Sequence, residues 1–81
     1  MADQKTVNFV RFGDTASTMQ SVYPNDTVSA IIDRVRDDLG LAKQGSWILV
    51  HKGTNAHLVG QIFGQVNELD SVIVMPDETG G

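Results

Sequence analysis

Five apolar residues, Val28, Ile31, Ile32, Val35 and Leu39, recur at the three- and four-residue spacing that puts them on one side of a helix, with Asp33, Arg34, Arg36 and Asp37 on the other. The stripe follows Pro24-Asn25-Asp26-Thr27, where Asp26 or Thr27 can cap the free N–H groups of a first turn, and Gly40 supplies a left-handed stop. A chain of 81 residues has room for one small domain, and this is the one segment with such a stripe. A lone helix has no helical partner to bury its apolar side. It must lie on strands.

The remaining apolar segments read as those strands. Thr6 to Phe12 is β-rich through Val7, Phe9, Val10 and Phe12 and closes at the turn dipeptide Gly13-Asp14. Ser17 to Tyr23 follows at hairpin distance, with Met19, Val22 and Tyr23. After the helix, Trp47-Ile48-Leu49-Val50 is a compact third strand, His51-Lys52-Gly53-Thr54-Asn55 a turn, and Ala56 to Val59 a short edge strand. Ile62, Phe63 and Val66 fall in a segment too short for a stable helix and read as an irregular or 3₁₀ turn. Ser71 to Met75 is the last strand, ended by Pro76. The predicted class is α+β: a mixed sheet of four to five strands with one helix packed across one face. Residues 1–5 read as a flexible lead-in, 6–76 as the domain and 77–81 as a polar, flexible tail.

Composition removes several classes of function. So small a domain buries only about 60–65% of its unfolded surface, so a deep substrate cavity would consume its core, and the chain is expected not to be an enzyme. Six Lys and Arg stand against ten Asp and Glu, a net charge of −4 that disfavours nucleic acid. The chain has no cysteine, which removes disulfides, thiolate nucleophiles and cysteine-based zinc sites. Its start, Met-Ala-Asp-Gln-Lys, lacks the pattern of a signal peptide, and no apolar run nears the ~20 residues of a membrane span. A cytoplasmic, monomeric protein with no membrane partner is expected. His51 and His57 lack the spacing of metal ligands and read as surface histidines without a carboxylate partner. The glycines form no phosphate loop, and Asp37-Asp38 lacks the alternating acids of a calcium loop, so no metal or cofactor is expected.

The informative feature is the end of the chain, Asp77-Glu78-Thr79-Gly80-Gly81. Two glycines without Cβ atoms can lie extended in a narrow channel where another protein's backbone approaches closely. A free α-carboxylate is ionised at neutral pH and is a poor electrophile until a partner activates it. The tail therefore presents a carboxylate for another protein's chemistry.

These residues resemble ubiquitin and its β-grasp relatives. Val22-Tyr23-Pro24-Asn25-Asp26-Thr27-Val28-Ser29-Ala30-Ile31 is similar to ubiquitin's passage from strand to helix, and the likeness runs on through Val35 to Gly40-Leu41. The spacing from Ser71 to Gly81 is also ubiquitin's, so the resemblance in element order covers nearly the whole chain. The ending from Val72 to Gly81 is also similar to the small sulfur carriers of molybdopterin synthesis, though Glu68-Leu69-Asp70 stands where those carry an Asp-Gly-Asp-like turn, and Asp77 replaces a second proline. Ubiquitin's tail is basic. Here Asp77 and Glu78 make it acidic, which implies a dedicated partner. The overall likeness extends to ubiquitin-like proteins encoded in bacterial operons beside their own activating and conjugating enzymes and peptidases.

The resemblance implies a protein modifier. Gly81, preceded by Gly80, would be adenylated by an activating enzyme that uses ATP, passed as a thioester and joined to an amine such as a target lysine, with Asp77, Glu78 and Thr79 recognised by the partners. A conjugating enzyme and a processing peptidase are implied as further partners. The alternatives are a sulfur carrier forming a thiocarboxylate and a non-covalent β-grasp adaptor subunit. Alternation along the last strand turns Val72 and Val74 one way and Ile73 and Met75 the other. By resemblance, Ile73 and Met75 should join Leu49 or Val50 in an exposed patch for partners.

Overall fold

The computed structural model describes residues 3–13, 15–41 and 46–76. Strands β1 (Lys5–Arg11) and β2 (Ser17–Val22) form a hairpin, helix α1 (Val28–Leu39) crosses over, and β3 (Trp47–His51), β4 (His57–Leu58), a 3₁₀ turn (Phe63–Gln65) and β5 (Ser71–Pro76) follow. The five strands form one sheet in the order β2-β1-β5-β3-β4. β1 and β5 run parallel at its centre, with Phe9 opposite Val72, and the other neighbours are antiparallel. This is the expected α+β architecture, with five strands.

The core follows from two periodicities meeting. Val7 and Phe9 on β1, Val72 and Val74 on β5, and Leu49 and Leu58 on β3 and β4 alternate toward one sheet face. Ile31, Ile32, Val35 and Leu39 present the helix's apolar stripe to them. Leu41, Ile62 and Val66 close the ends, and among the described residues every fully buried side chain is apolar. Thr27 is the N-cap, its hydroxyl accepting from the Ala30 amide at 3.3 Å. Gly40 ends the helix at φ 65°, the left-handed conformation that glycine adopts without a Cβ clash. Asp26, the other candidate cap, instead accepts from the Tyr23 amide at 2.9 Å and grips both terminal nitrogens of Arg34.

β1 and β2 each end one residue earlier than the sequence reading and β3 one later, and three further boundaries differ for a visible reason. Lys5 belongs to β1 and not to the lead-in: its ammonium donates to the carbonyls of Phe63 and Val66 at 2.7 and 2.8 Å and sits 4.2 Å from the centre of the Phe63 ring. The fourth strand shrinks to His57–Leu58, because Leu58 enters the core while Val59 is exposed and Gly60, at φ 67°, turns the chain. β5 continues through Pro76, which lies beyond Val74, where the pairing with β1 ends.

Candidate functional site

The helix covers one face of the sheet and leaves the other open. Because Val72 and Val74 point to the helix, Ile73 and Met75 project from the opposite face. Pairing fixes their neighbours: Ile73 lies between Val10 of β1 and Val50 of β3, and Met75 lies opposite Ile48. All five are half-buried, shielded sideways by one another. The outer face thus holds a contiguous apolar stripe across the three inner strands. Leu49 is not part of it. The register that turns Val50 outward turns Leu49 inward, where it is fully buried against Leu58 and Val74, so its expected place in the patch is corrected.

Gly80 and Gly81, with Asp77, Glu78 and Thr79, lie outside the described residues. What leads to them is described. β5 is the central strand, locked between β1 and β3, and its last residue, Pro76, sits opposite Trp47.

The histidines part company. His57 is exposed on the edge. His51 is not a bare surface residue, which corrects the expectation that it lacks a carboxylate partner: its Nε2 stands 2.7 Å from Oδ2 of Asp70, with 15% and 23% of the two side chains exposed. Its Nδ1 accepts from the amides of Gly53 and Thr54 at 3.2 and 3.4 Å, so in the neutral ring the proton resides on Nε2 and is donated to Asp70. The Asn67 amide, bonded to the same carboxylate at 2.7 Å, and then His51 hold the Asp70 carboxyl below the usual carboxylate range. With both nitrogens engaged, this imidazole has no lone pair free to take a substrate's proton. It clasps the β3–β4 turn to the loop before β5. The partners stand nineteen positions apart, so no local spacing could reveal the pair.

The other strong polar contact is Asp26 with Arg34, at 2.9 and 3.1 Å. The guanidinium holds the Asp26 carboxyl below its ordinary value, aided by the Tyr23 amide and opposed by burial. Among the described residues no group of three or more histidines and acids is placed to hold a metal ion, and no helix is long and apolar enough to cross a membrane.

No protein-family model and no curated protein matches the sequence. Solved structures do match the shape. The ubiquitin of Caldiarchaeum subterraneum superposes with a TM-score of 0.62 at 20% identity, covering 98% of this chain and 100% of that one. A chain from a structure described as the toluene 4-monooxygenase HD complex with the inhibitor 4-bromobenzoate superposes with a TM-score of 0.73 at 11% identity, covering 93% of this chain and all, 100%, of that one. Together with the strand order and the single crossing helix, these likenesses define the class: a ubiquitin-like β-grasp fold. At such identities they speak for the fold alone.

Proposed function

We propose that this chain is a ubiquitin-like protein modifier. The Gly81 carboxylate attacks the α-phosphate of ATP on an activating enzyme, releasing pyrophosphate and forming an acyl adenylate. A cysteine thiolate of that enzyme displaces AMP to give a thioester. An amine of a target protein then displaces the thiolate, leaving an amide at Gly81. The observation that supports this most is the joining of a ubiquitin-like fold to a diglycine that ends five residues beyond Pro76, the end of the central strand. Asp77 and Glu78 are read as recognition elements for a basic partner groove, and the Val50, Ile73 and Met75 face as the surface that partners recruit.

A second reading has its own support. The likeness to a chain of the toluene 4-monooxygenase HD complex favours a non-covalent β-grasp subunit of a larger assembly, in which the glycines are incidental. Incubating the protein with its candidate activating enzyme, conjugating enzyme, ATP, a lysine-bearing target and a persulfide sulfur donor with a thiol reductant, and weighing the products, separates the readings. The modifier reading expects an amide between Gly81 and a lysine. A sulfur-for-oxygen mass gain replaces it with the sulfur carrier, and an unchanged mass with stoichiometric co-purification leaves the subunit.

A further inference from the structure

A groove lies on the helix side of the sheet, beside the place where the last strand ends. Ser29, Ile32, Asp33 and Arg36 of α1 form one wall and Ser46 and Trp47 the other, around a space of about 220 Å³. Trp47 stands two positions before the buried Leu49, so alternation turns its ring toward the helix, where it packs against the rim of the core. Its partner across the β3–β5 ladder is Pro76. Pro76 stands two positions beyond the buried Val74 and so faces the same side. The chain beyond Pro76 therefore starts beside Trp47, at the mouth of the groove.

Length and charge both suit that segment. Ser29 to Arg36 covers about 10 Å at a helical rise of 1.5 Å per residue, and five extended residues reach about 17 Å. Asp77-Glu78-Thr79-Gly80-Gly81 brings two side-chain carboxylates, and then two residues without a Cβ that can lie between close walls. The wall they meet carries Arg36, whose Nη2 contacts Asp33 Oδ1 at 3.2 Å. Asp33 is 75% exposed, so that pair is weak in water. A guanidinium has five N–H donors and can serve more than one carboxylate. Arg11 adds a second cation on this side of the sheet: it stands opposite Val74, and its Nη1 donates to the Leu39 carbonyl at 3.4 Å. Asp38 is turned away, accepting from Thr18 and Gln20 on the β2 side of the helix.

We propose that this groove is the seat of the chain's own residues 77–81, with Asp77 and Glu78 held at Arg36 and the slender residues after them laid along Ile32 and Trp47 toward Ser29. The contact need have only millimolar strength between separate molecules, because a short tether at Pro76 supplies an effective concentration of the same order. The seat involves no chemistry at Gly81, so it stands or falls apart from the modifier reading. Where that reading holds, an activating enzyme must draw the segment out of the groove before Gly81 reacts, and the docked state limits how fast that happens.

The test uses the full chain labelled with nitrogen-15, a chain ending at Pro76, which keeps every residue of the described core, and the peptide acetyl-Asp-Glu-Thr-Gly-Gly. Removing residues 77–81 should shift the signals of the Trp47 indole and of the Ile32 and Arg36 amides, and millimolar peptide should move them back. In the full chain, Arg36→Gln should produce the shift at Trp47 that truncation does, as should about 1 M salt, where the screening length falls to about 3 Å. Asp33→Asn should act in the opposite direction, since it removes a like charge and a competitor for Arg36. Lys52→Gln, on the β3–β4 turn, should change nothing at Trp47. The Glu78 and Thr79 amides should show the heteronuclear Overhauser effects of held backbone, and lose them in the Arg36 variant. Unchanged Trp47 and Arg36 signals on truncation overturn the proposal, as does a peptide that leaves the truncated chain's signals in place. So do Glu78 and Thr79 amides as mobile in the parent as in the free peptide, or shifts that grow with protein concentration, which would give the groove to the tail of a second copy.

Discussion

Leu69 carries the clearest local strain. It adopts φ 67°, where an L side chain crowds its own backbone, yet it is 67% exposed and gains little by burial. The conformation is imposed by its neighbours: its amide donates to the Thr6 carbonyl at 2.6 Å, and the Glu68 carboxylate accepts from the Thr6 amide at 2.8 Å. Leu69→Gly should relieve about 1–2 kcal/mol of strain and give back part of it as unfolded-chain entropy, for a net gain of about 0.5–1 kcal/mol. A chemical denaturation midpoint that falls on substitution would show that Leu69 contributes packing instead. Asp26 makes a second prediction at this scale. Because Arg34 holds its folded carboxyl below the ordinary value of about 3.9, the unfolded chain binds the proton more tightly. The contribution is therefore complete above about pH 4 and is lost as pH falls through the lowered folded value. Asp26→Asn should be less stable than the parent at neutral pH, and the gap should close in acid. A gap of constant size from pH 7 to pH 2 would sink the assignment.

The helix was legible because everything that defines it is local. Its apolar stripe, its Thr27 cap and its Gly40 stop all lie within one short segment, and each is found where the pattern placed it. Val28 is the exception of degree, half-buried at the first turn and packed against the core's rim. Ile31 is fully buried, so Ile31→Ala should cost about 2–5 kcal/mol, while Thr27→Ala should cost about 1 kcal/mol by freeing the Ala30 amide. Asp33 meets Arg36 only at an exposed 3.2 Å contact, and Asp33→Ala should cost under about 0.5 kcal/mol. Comparable unfolding midpoints for the Ile31 and Asp33 variants would contradict the packing of this face. β4 was less legible because its length depends on the sheet: Ala56 and Val59 suit a strand as well as His57 and Leu58 do, but only Leu58 finds a core to enter. The His51–Asp70 clasp had no local signal, since it is made by chain reversal between distant segments.

At the scale of the molecule, strand order is the least local property of all. Nothing in Ser71 to Pro76 by itself says that the last strand slides between the first and the third, yet that placement makes Val10, Val50, Ile73, Ile48 and Met75 one surface. Alternation correctly split Val72 and Val74 from Ile73 and Met75; the resemblance offered Leu49 or Val50 beside them, and register with β5, which alternation within β3 leaves open, makes it Val50. The same topology separates stability from the proposed chemistry. Every residue of the described core lies between Val7 and Val74, so removing Gly80 and Gly81 takes away none of its side chains. Deletion of both glycines should leave the thermal midpoint within about a degree of the parent while abolishing adenylation and conjugation, since the carboxylate would stop short of a reaction centre that tolerates misplacement on the order of 1 Å poorly. Gly80→Val should reproduce the loss by adding a branched side chain where close backbone approach is required. The measurement pairs calorimetry with mass spectrometry of the products formed with ATP and the activating enzyme. Full conjugation after loss of both glycines would overturn the assignment of Gly81 as the joined residue, and a parent chain that is itself never adenylated or conjugated would leave the non-covalent subunit, whose partner contacts would then have to lie on the folded surface.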